Sequence, residues 1–305
     1  MNHCESAETE VTESMADDAG AQTARQYLSA ELARLRRLSG LGGRDIAAHV
    51  GISQSKVSRI ETGAGLPTLP EVRAWVAAVG ASDETRDYLV QLTEAAHTDV
   101  ETWRMALRGR PHLQDQTGAY ETTARTIRNF HPAIVPGLLQ TAEYVRRVLS
   151  FVDVDPFGMQ HHDHAAAVAA RMQRQEALYD ENRQFDFLIT EAALRWHSYD
   201  SALVIPQLDR IASVATLRNV RIGLLPADAP VPGILEHNFQ LYTDRDDDQE
   251  PVVRVELIHA RLTISDPEDV AIYQERFTRW SDVAVHDDQA QELLHRIADD
   301  IRSRE

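Results

Sequence analysis

The sequence predicts a mainly α protein in two unequal parts: a small all-helical helix-turn-helix domain, followed by a larger α+β domain with a small sheet. Three observations predict it. Leu28, Leu32, Leu35 and Leu38 recur at helical spacing, and three short apolar-patterned segments follow before Gly80. Gly51 stands between two of those segments, where a tight turn needs a residue without Cβ. Beyond Gly118, helical periods mix with short β-rich runs. With 305 residues, 43% of them hydrophobic, the chain can bury a substantial core.

Taken in order, residues 1–24 are polar, carry six acids from Glu5 to Asp18 and no Lys or Arg, and read as a disordered acidic tail. Residues 25–80 form the helix-turn-helix domain. Residues 81–118 read as a helical connector: Ser82 is a good N-cap, Asp83 and Glu84 follow in the first turn, and Tyr88, Leu89, Leu92 and Ala96 mark a buried face. Residues 119–305 read as an α+β effector and dimerisation domain. Its strand signals lie at Phe185–Thr190, Val220–Leu225, Asn238–Tyr242 and Val252–Leu257. Its helical patterns occupy Ala165–Tyr179, Gln207–Ala215, Glu268–Trp280 and Gln289–Ile301, the third opened by Asp266-Pro267-Glu268.

Within the helical domain each special position has a physical reason. Ala47 is small where two helices approach most closely, and Gly51 can take a positive φ in the turn. Ile46, Val50, Ile52, Val57 and Ile60 supply the apolar face, and Ser53 can cap the second helix. Gln54, Ser55, Lys56, Ser58 and Arg59 are left for solvent or for the major groove of DNA, whose base edges present distinct donor and acceptor patterns. Gln54 suits adenine and Arg59 guanine. The alternative is a polar surface on an ordinary helical hairpin. Charge is distributed accordingly: the formal net charge is −17, yet between Arg25 and Trp75 eight basic side chains face four acidic ones.

The stretch Gly51-Ile-Ser-Gln-Ser-Lys-Val-Ser-Arg-Ile-Glu-Thr-Gly63, with Pro67 after it, resembles the phage-repressor-like, or Xre-type, helix-turn-helix family. The resemblance implies base contacts by Gln54, Ser55 and Arg59, and phosphate contacts by Arg44, Ser53, Lys56 and Ser58. It also implies a structural pair between Arg36 and Glu61. Gly42-Gly43 departs from the family, where a polar cap and a glutamine are common. Further on, Ile127-Arg-Asn-Phe-His-Pro-Ala-Ile-Val-Pro-Gly-Leu-Leu-Gln-Thr-Ala-Glu-Tyr-Val-Arg-Arg147, Arg171-Met-Gln-Arg-Gln-Glu-Ala-Leu178, Thr190-Glu-Ala-Ala-Leu-Arg195 and Asn219-Val-Arg-Ile-Gly-Leu-Leu-Pro226 resemble the effector-like domain of actinobacterial WhiJ-type regulators. Pro206 and Trp196-His-Ser-Tyr-Asp200 depart from that pattern. The resemblance implies a regulator often encoded beside a small partner protein, in an arrangement likened to antitoxin and toxin.

In the larger domain, Val135-Pro-Gly-Leu-Leu-Gln-Thr141 reads as an extended segment, a turn and a helix start near Thr141, which a structural role explains. The functional alternative is a ligand or partner groove lined by Arg128, Glu191 and Arg195. His161-His-Asp-His164 could offer imidazoles to a metal, but adjacent residues on one short loop rarely satisfy tetrahedral geometry, so no metal site is expected. His286-Asp-Asp288 and the acidic run from Asp244 to Glu250 read as solvated loops. Gly-x-Ser-x-Gly, a phosphate-binding glycine loop and His-Glu-x-x-His are all absent, so no catalytic residues and no cofactor are expected. The one cysteine, Cys4, permits no disulfide framework.

The chain lacks a long apolar run and a basic-then-apolar start, which predicts a cytoplasmic protein, nucleoid-associated when on DNA, with no membrane contact. The expected partners are double-stranded DNA and a second copy of the chain, since one recognition helix reads few base pairs. An unknown small-molecule effector or a small basic protein from a neighbouring gene would act on the larger domain. The competing expectation is an antitoxin-like module that sequesters such a partner and autoregulates its operon. A ligand-regulated enzyme with a vestigial DNA domain is a third.

Overall fold

The structure, a computed structural model, describes residues 20–102, 120, 123–152, 164–196, 200–245, 250–258 and 260–304. The chain divides into two compact units, the first extending to Thr102 and including Leu257–Asp269, the second holding the rest.

The first unit is a helical domain with a two-stranded ladder. Its helices are α1 (Gly20–Ser39), α2 (Gly43–Val50), α3 (Gln54–Glu61), α4 (Leu69–Val79) and α5 (Asp83–His97). Their start and stop signals are local. Ser53, Thr68 and Ser82 cap α3, α4 and α5 through side-chain oxygens that accept first-turn N–H groups, and Gly51 and Gly80 end α2 and α4 in the left-handed conformation. Leu28, Leu32, Ile46, Val57, Ile60, Val72, Trp75 and Leu89 make one core. β1 (Thr98–Thr102) pairs antiparallel with β7 (Ala260–Ile264).

Three expectations need correction in this unit. α1 begins at Gly20, so residues 20–24 are helical and not part of a tail; residues 1–19 lie outside the described residues. The helix read as a connector is α5, and it belongs to the domain, because Leu89 and Ala96 enter the core beside Trp75. Two residues assigned to apolar faces point outward instead: Leu38 is 71% and Tyr88 53% exposed. Residues 103–118 of the supposed connector are outside the described residues.

The second unit is α+β, as the mixed helical and strand signals predict. Its strands are β2 (Ala124–His131), β3 (Gln184–Thr190), β4 (Val220–Leu225), β5 (Phe239–Arg245) and β6 (Val252–Glu256), in the order β6-β5-β2-β3-β4. β2, β3 and β4 run parallel, β5 is antiparallel to β2, and β6 is antiparallel to β5. Parallel neighbours need helical crossovers. Those between β2 and β3 include α6 (Ala142–Val152) and α7 (His164–Arg174), and those between β3 and β4 include α8 (Glu191–Leu194) and α9 (Ser201–Val214). α10 (Pro267–Ser281) and α11 (Asp287–Arg302) follow β7.

Alternation along the strands divides the packing between two faces. Ile127, Phe185, Phe187, Ile189, Ile222 and Leu224 pack with α9 and α11. Phe130 and Phe239 instead meet Trp280 of α10. Pro206 lies inside α9, which starts at Ser201 and not at Gln207; Asp200 caps it, and buried Leu203, Val204, Leu208 and Ile211 hold it across the missing N–H. Thr141 accepts a bond from the Tyr144 N–H at 3.2 Å, where the helix start was expected.

Candidate nucleic-acid interface

The turn between α2 and α3 depends on Gly51, with φ 79° and ψ 28°. Its N–H and that of Ile52 both reach the Ala47 carbonyl, at 2.9 and 3.0 Å. An added Cβ would meet nothing within 4 Å, so only backbone strain opposes a side chain there. Gly51→Ala should therefore destabilise by only about 1 kcal/mol, read from urea unfolding midpoints.

Ser53 then starts α3: its Oγ accepts the Lys56 N–H at 3.1 Å and lies 2.9 Å from the Ser55 Oγ. Val57 and Ile60 turn inward, which leaves Gln54, Ser55 and Ser58 exposed. Arg44, in the first turn of α2, is exposed as well, and Arg59 is half-buried. With its amide groups and short polar side chains at an open N-terminus, α3 can offer donors both to base edges and to phosphate oxygens.

Two basic residues are held by the scaffold. The Arg36 guanidinium grips both carboxylate oxygens of Glu61, Nη2 to Oε2 at 2.9 Å, and donates from Nη1 to the Leu41 carbonyl at 3.1 Å. The hydrogen bond to Glu61 raises the Arg36 pKa further above its ordinary value. Lys56 Nζ lies 2.9 Å from Glu71 Oε1. Glu71 is itself fixed, because its other oxygen accepts the Thr68 N–H at 2.8 Å in the capping box of α4. The expectation that Lys56 faces a phosphate is revised accordingly: its ammonium ties α3 to the cap of α4. Ser53 is likewise engaged as the N-cap.

Sequence reasoning missed Glu71, and also His97, whose Nε2 donates to the Pro67 carbonyl at 2.8 Å beneath this loop. The pattern Thr68-Leu-Pro-Glu71 is a legible capping box and could have revealed the first.

In the second unit, Arg128, Glu191 and Arg195 do not share a groove. Arg128 lies one residue along from Ile127, hence on the α10 face, 3.5 Å from Asp186 and over the Phe277 ring. It borders a shallow cleft of about 660 Å³ together with Asp244, Glu275 and Arg279. Glu191 accepts from Arg195 Nε at 2.7 Å and from the Ala227 N–H at 3.0 Å, and Arg195 reaches Asp300 of α11 at 2.7 Å. Burial opposes the Glu191 carboxylate, but the Ala227 N–H and Arg195 outweigh it and hold its pKa below the usual range. These contacts fasten α8 to the loop after β4 and to α11. Among the described residues no group of three His, Cys, Asp or Glu could hold a metal, and no helix is long and apolar enough to cross a membrane. The motif His161-His-Asp-His164 falls outside the residues whose side chains are described.

No curated protein matches the sequence. A solved structure of TrmBL2, an archaeal chromatin protein reported to show a novel mode of DNA binding, is similar at 11% identity and a TM-score of 0.31, over 66% of this chain. This chain spans about 60% of that one. A model described as a helix-turn-helix domain matches residues 28–89, the stretch from α1 into α5. A second, described as Domain of unknown function (DUF5753), matches residues 114–296. That match covers more than half of the chain, which therefore belongs to the DUF5753 family and carries a helix-turn-helix domain ahead of it.

Proposed function

We propose that the protein is a sequence-specific DNA-binding regulator of the Xre type that acts as a homodimer, with a WhiJ-like second unit that senses a ligand or a small protein. The observation that carries this reading is the open first turn of α3, where Gln54 and Ser55 are exposed on a helix-turn-helix scaffold. Gln54, Ser55 and Arg59 are the base-reading residues; Arg44 and the hydroxyl of Ser58 meet phosphates, and Ser53 serves as the N-cap of α3. Arg36 with Glu61, and Lys56 with Glu71, hold the scaffold. On this reading the chain regulates and does not catalyse.

Selection from a random duplex pool tests it. The full-length protein should enrich a twofold motif with half-sites about 10 bp apart. Recovery of no motif would refute the reading. On the selected duplex, Arg59→Ala should lose discrimination at one base position by about 2 kcal/mol, roughly 30-fold, with other positions unchanged. Arg44→Ala should weaken all sequences alike and flatten the salt slope by about 0.9. Lys56→Ala should leave that slope alone, because its charge is already matched by Glu71.

The net charge of −17 favours a second reading, in which the chain binds a small basic protein and uses DNA for autoregulation. Co-expression with the product of the adjacent gene distinguishes the two: a stoichiometric complex supports this reading, and separate elution of the two proteins removes it.

A further inference from the structure

The face of the sheet that carries Ile127 is apolar over β3 and β4, but it changes character over β2, β5 and β6. In the registers of these strands Asn129 stands opposite Gln240, and Gln240 opposite Arg254. Directly paired residues share a face, so the three form a polar row across the sheet. His131 is two positions along from Asn129, and Glu256 two along from Arg254, on the same side.

Asn129, His131 and Arg254 are buried and incompletely bonded, while Gln240 is half-buried and Glu256 exposed. Asn129 is 4%, His131 6% and Arg254 2% exposed. Asn129 Oδ1, His131 Nε2, and both Nε and Nη1 of Arg254 have no hydrogen-bond partner. Arg254 lies over the Tyr120 ring at 5.0 Å, and a ring face satisfies none of its in-plane N–H donors. Gln240 Oε1 accepts from the Tyr242 hydroxyl at 3.0 Å. A second guanidinium, that of Arg171, donates to Gln140 at 3.0 Å and is close enough to His131 and Glu256 to perturb His131, with burial weakening its own hold on its proton. A buried guanidinium with two unbonded N–H donors, near an acceptor without a donor, is costly unless a further group bonds them.

We propose that Asn129, His131 and Arg254, with Arg171 beside them, form a binding site for a small hydroxylated oxyanion. The oxyanion, a carboxylate or a phosphate monoester, neutralises Arg254; a hydroxyl of the same molecule donates to Asn129 Oδ1; and His131 Nε2 completes the ring of contacts. The proposal rests on the reading of the second unit as the sensing half, and not on DNA binding.

The test is thermal unfolding and titration calorimetry of the full-length protein with sodium lactate and with glycerol 3-phosphate, each against sodium chloride at equal ionic strength. One of the two should bind with one site per chain and raise Tm by about 3 °C at ten times its Kd; which one responds tells carboxylate from phosphate. Arg254→Met should abolish the shift while its own Tm in chloride stays at or above the wild-type value, because an unmatched charge has been removed. Should Arg254→Met not fold, Asn129→Ala must weaken binding at least tenfold. Equal Tm in all three salts, as expected if only water fills the site, would overturn the proposal, as would a shift that persists in the variants. Affinity for the selected duplex, measured on the same preparations, keeps failure of this site distinct from failure of the DNA-binding reading.

Discussion

Arg36→Ala should destabilise the helical unit by about 3 kcal/mol and weaken specific DNA binding through lost structure, not through a lost contact. The pair it makes with Glu61 joins the last turn of α1 to the end of α3, and only 20% and 17% of the two side chains is exposed. Removing the cation leaves a carboxylate in a site built for a guanidinium, with one donor to the Leu41 carbonyl also gone. For fully buried pairs such a deletion costs about 3–5 kcal/mol, and the residual exposure here puts the effect at the lower end.

The double variant Arg36→Ala with Glu61→Ala separates the two explanations. If the pair is scaffold, removing both charges should recover most of the loss, because the unmatched carboxylate has gone. Urea unfolding followed by circular dichroism reads the stability, and anisotropy with the selected duplex reads the affinity. A single variant that keeps full stability but loses affinity would mark Arg36 as a DNA contact and remove it from the scaffold.

The contrast between Arg36 and Lys56 also indicates how far the sequence reaches. The α2–α3 turn was legible because its constraints are local: a left-handed position at Gly51, a small residue at Ala47, a hydroxyl at Ser53 and apolar residues at helical spacing. The pairing of Arg36 with Glu61 is implied by the family resemblance of the stretch that runs through Glu61 to Gly63, not by any local constraint. The ion pair of Lys56 is not legible locally, because its partner lies fifteen positions on, across the loop at Pro67 and in the capping box of the next helix. Similarly, Ser82 announces α5, but nothing in its apolar face says that Leu89 packs beside Trp75. In the second unit, β2 escaped notice because Arg128, Asn129 and His131 interrupt its apolar pattern. The polar row from Asn129 to Arg254 depends on the register between β2 and β5, where Asn129 and Gln240 lie more than a hundred residues apart, which no local pattern encodes.

His131 should make the second unit acid-sensitive. Burial of the imidazole is the main reason its pKa falls from 6.5 to about 4; Glu256 pulls it upward and Arg171 pushes it down. The unfolded chain therefore binds this proton more readily than the native one between those two values, and stability rises with pH across that window. Above pH 6.5 the contribution is fully present. As pH falls through about 4 it is lost, and the shift corresponds to about 3 kcal/mol. Other carboxylates titrate over the same range, so the quantity to measure is the stability difference between wild type and His131→Gln, in buffers free of carboxylates and phosphate. That difference should fall by about 3 kcal/mol from pH 7 to pH 4, and a flat difference would refute the assignment. An oxyanion bound beside Arg254 would oppose the effect, since negative charge near the ring favours its protonated form. The acid sensitivity due to His131 should then shrink when the anion that raises Tm is present, and should keep its full size in Arg254→Met.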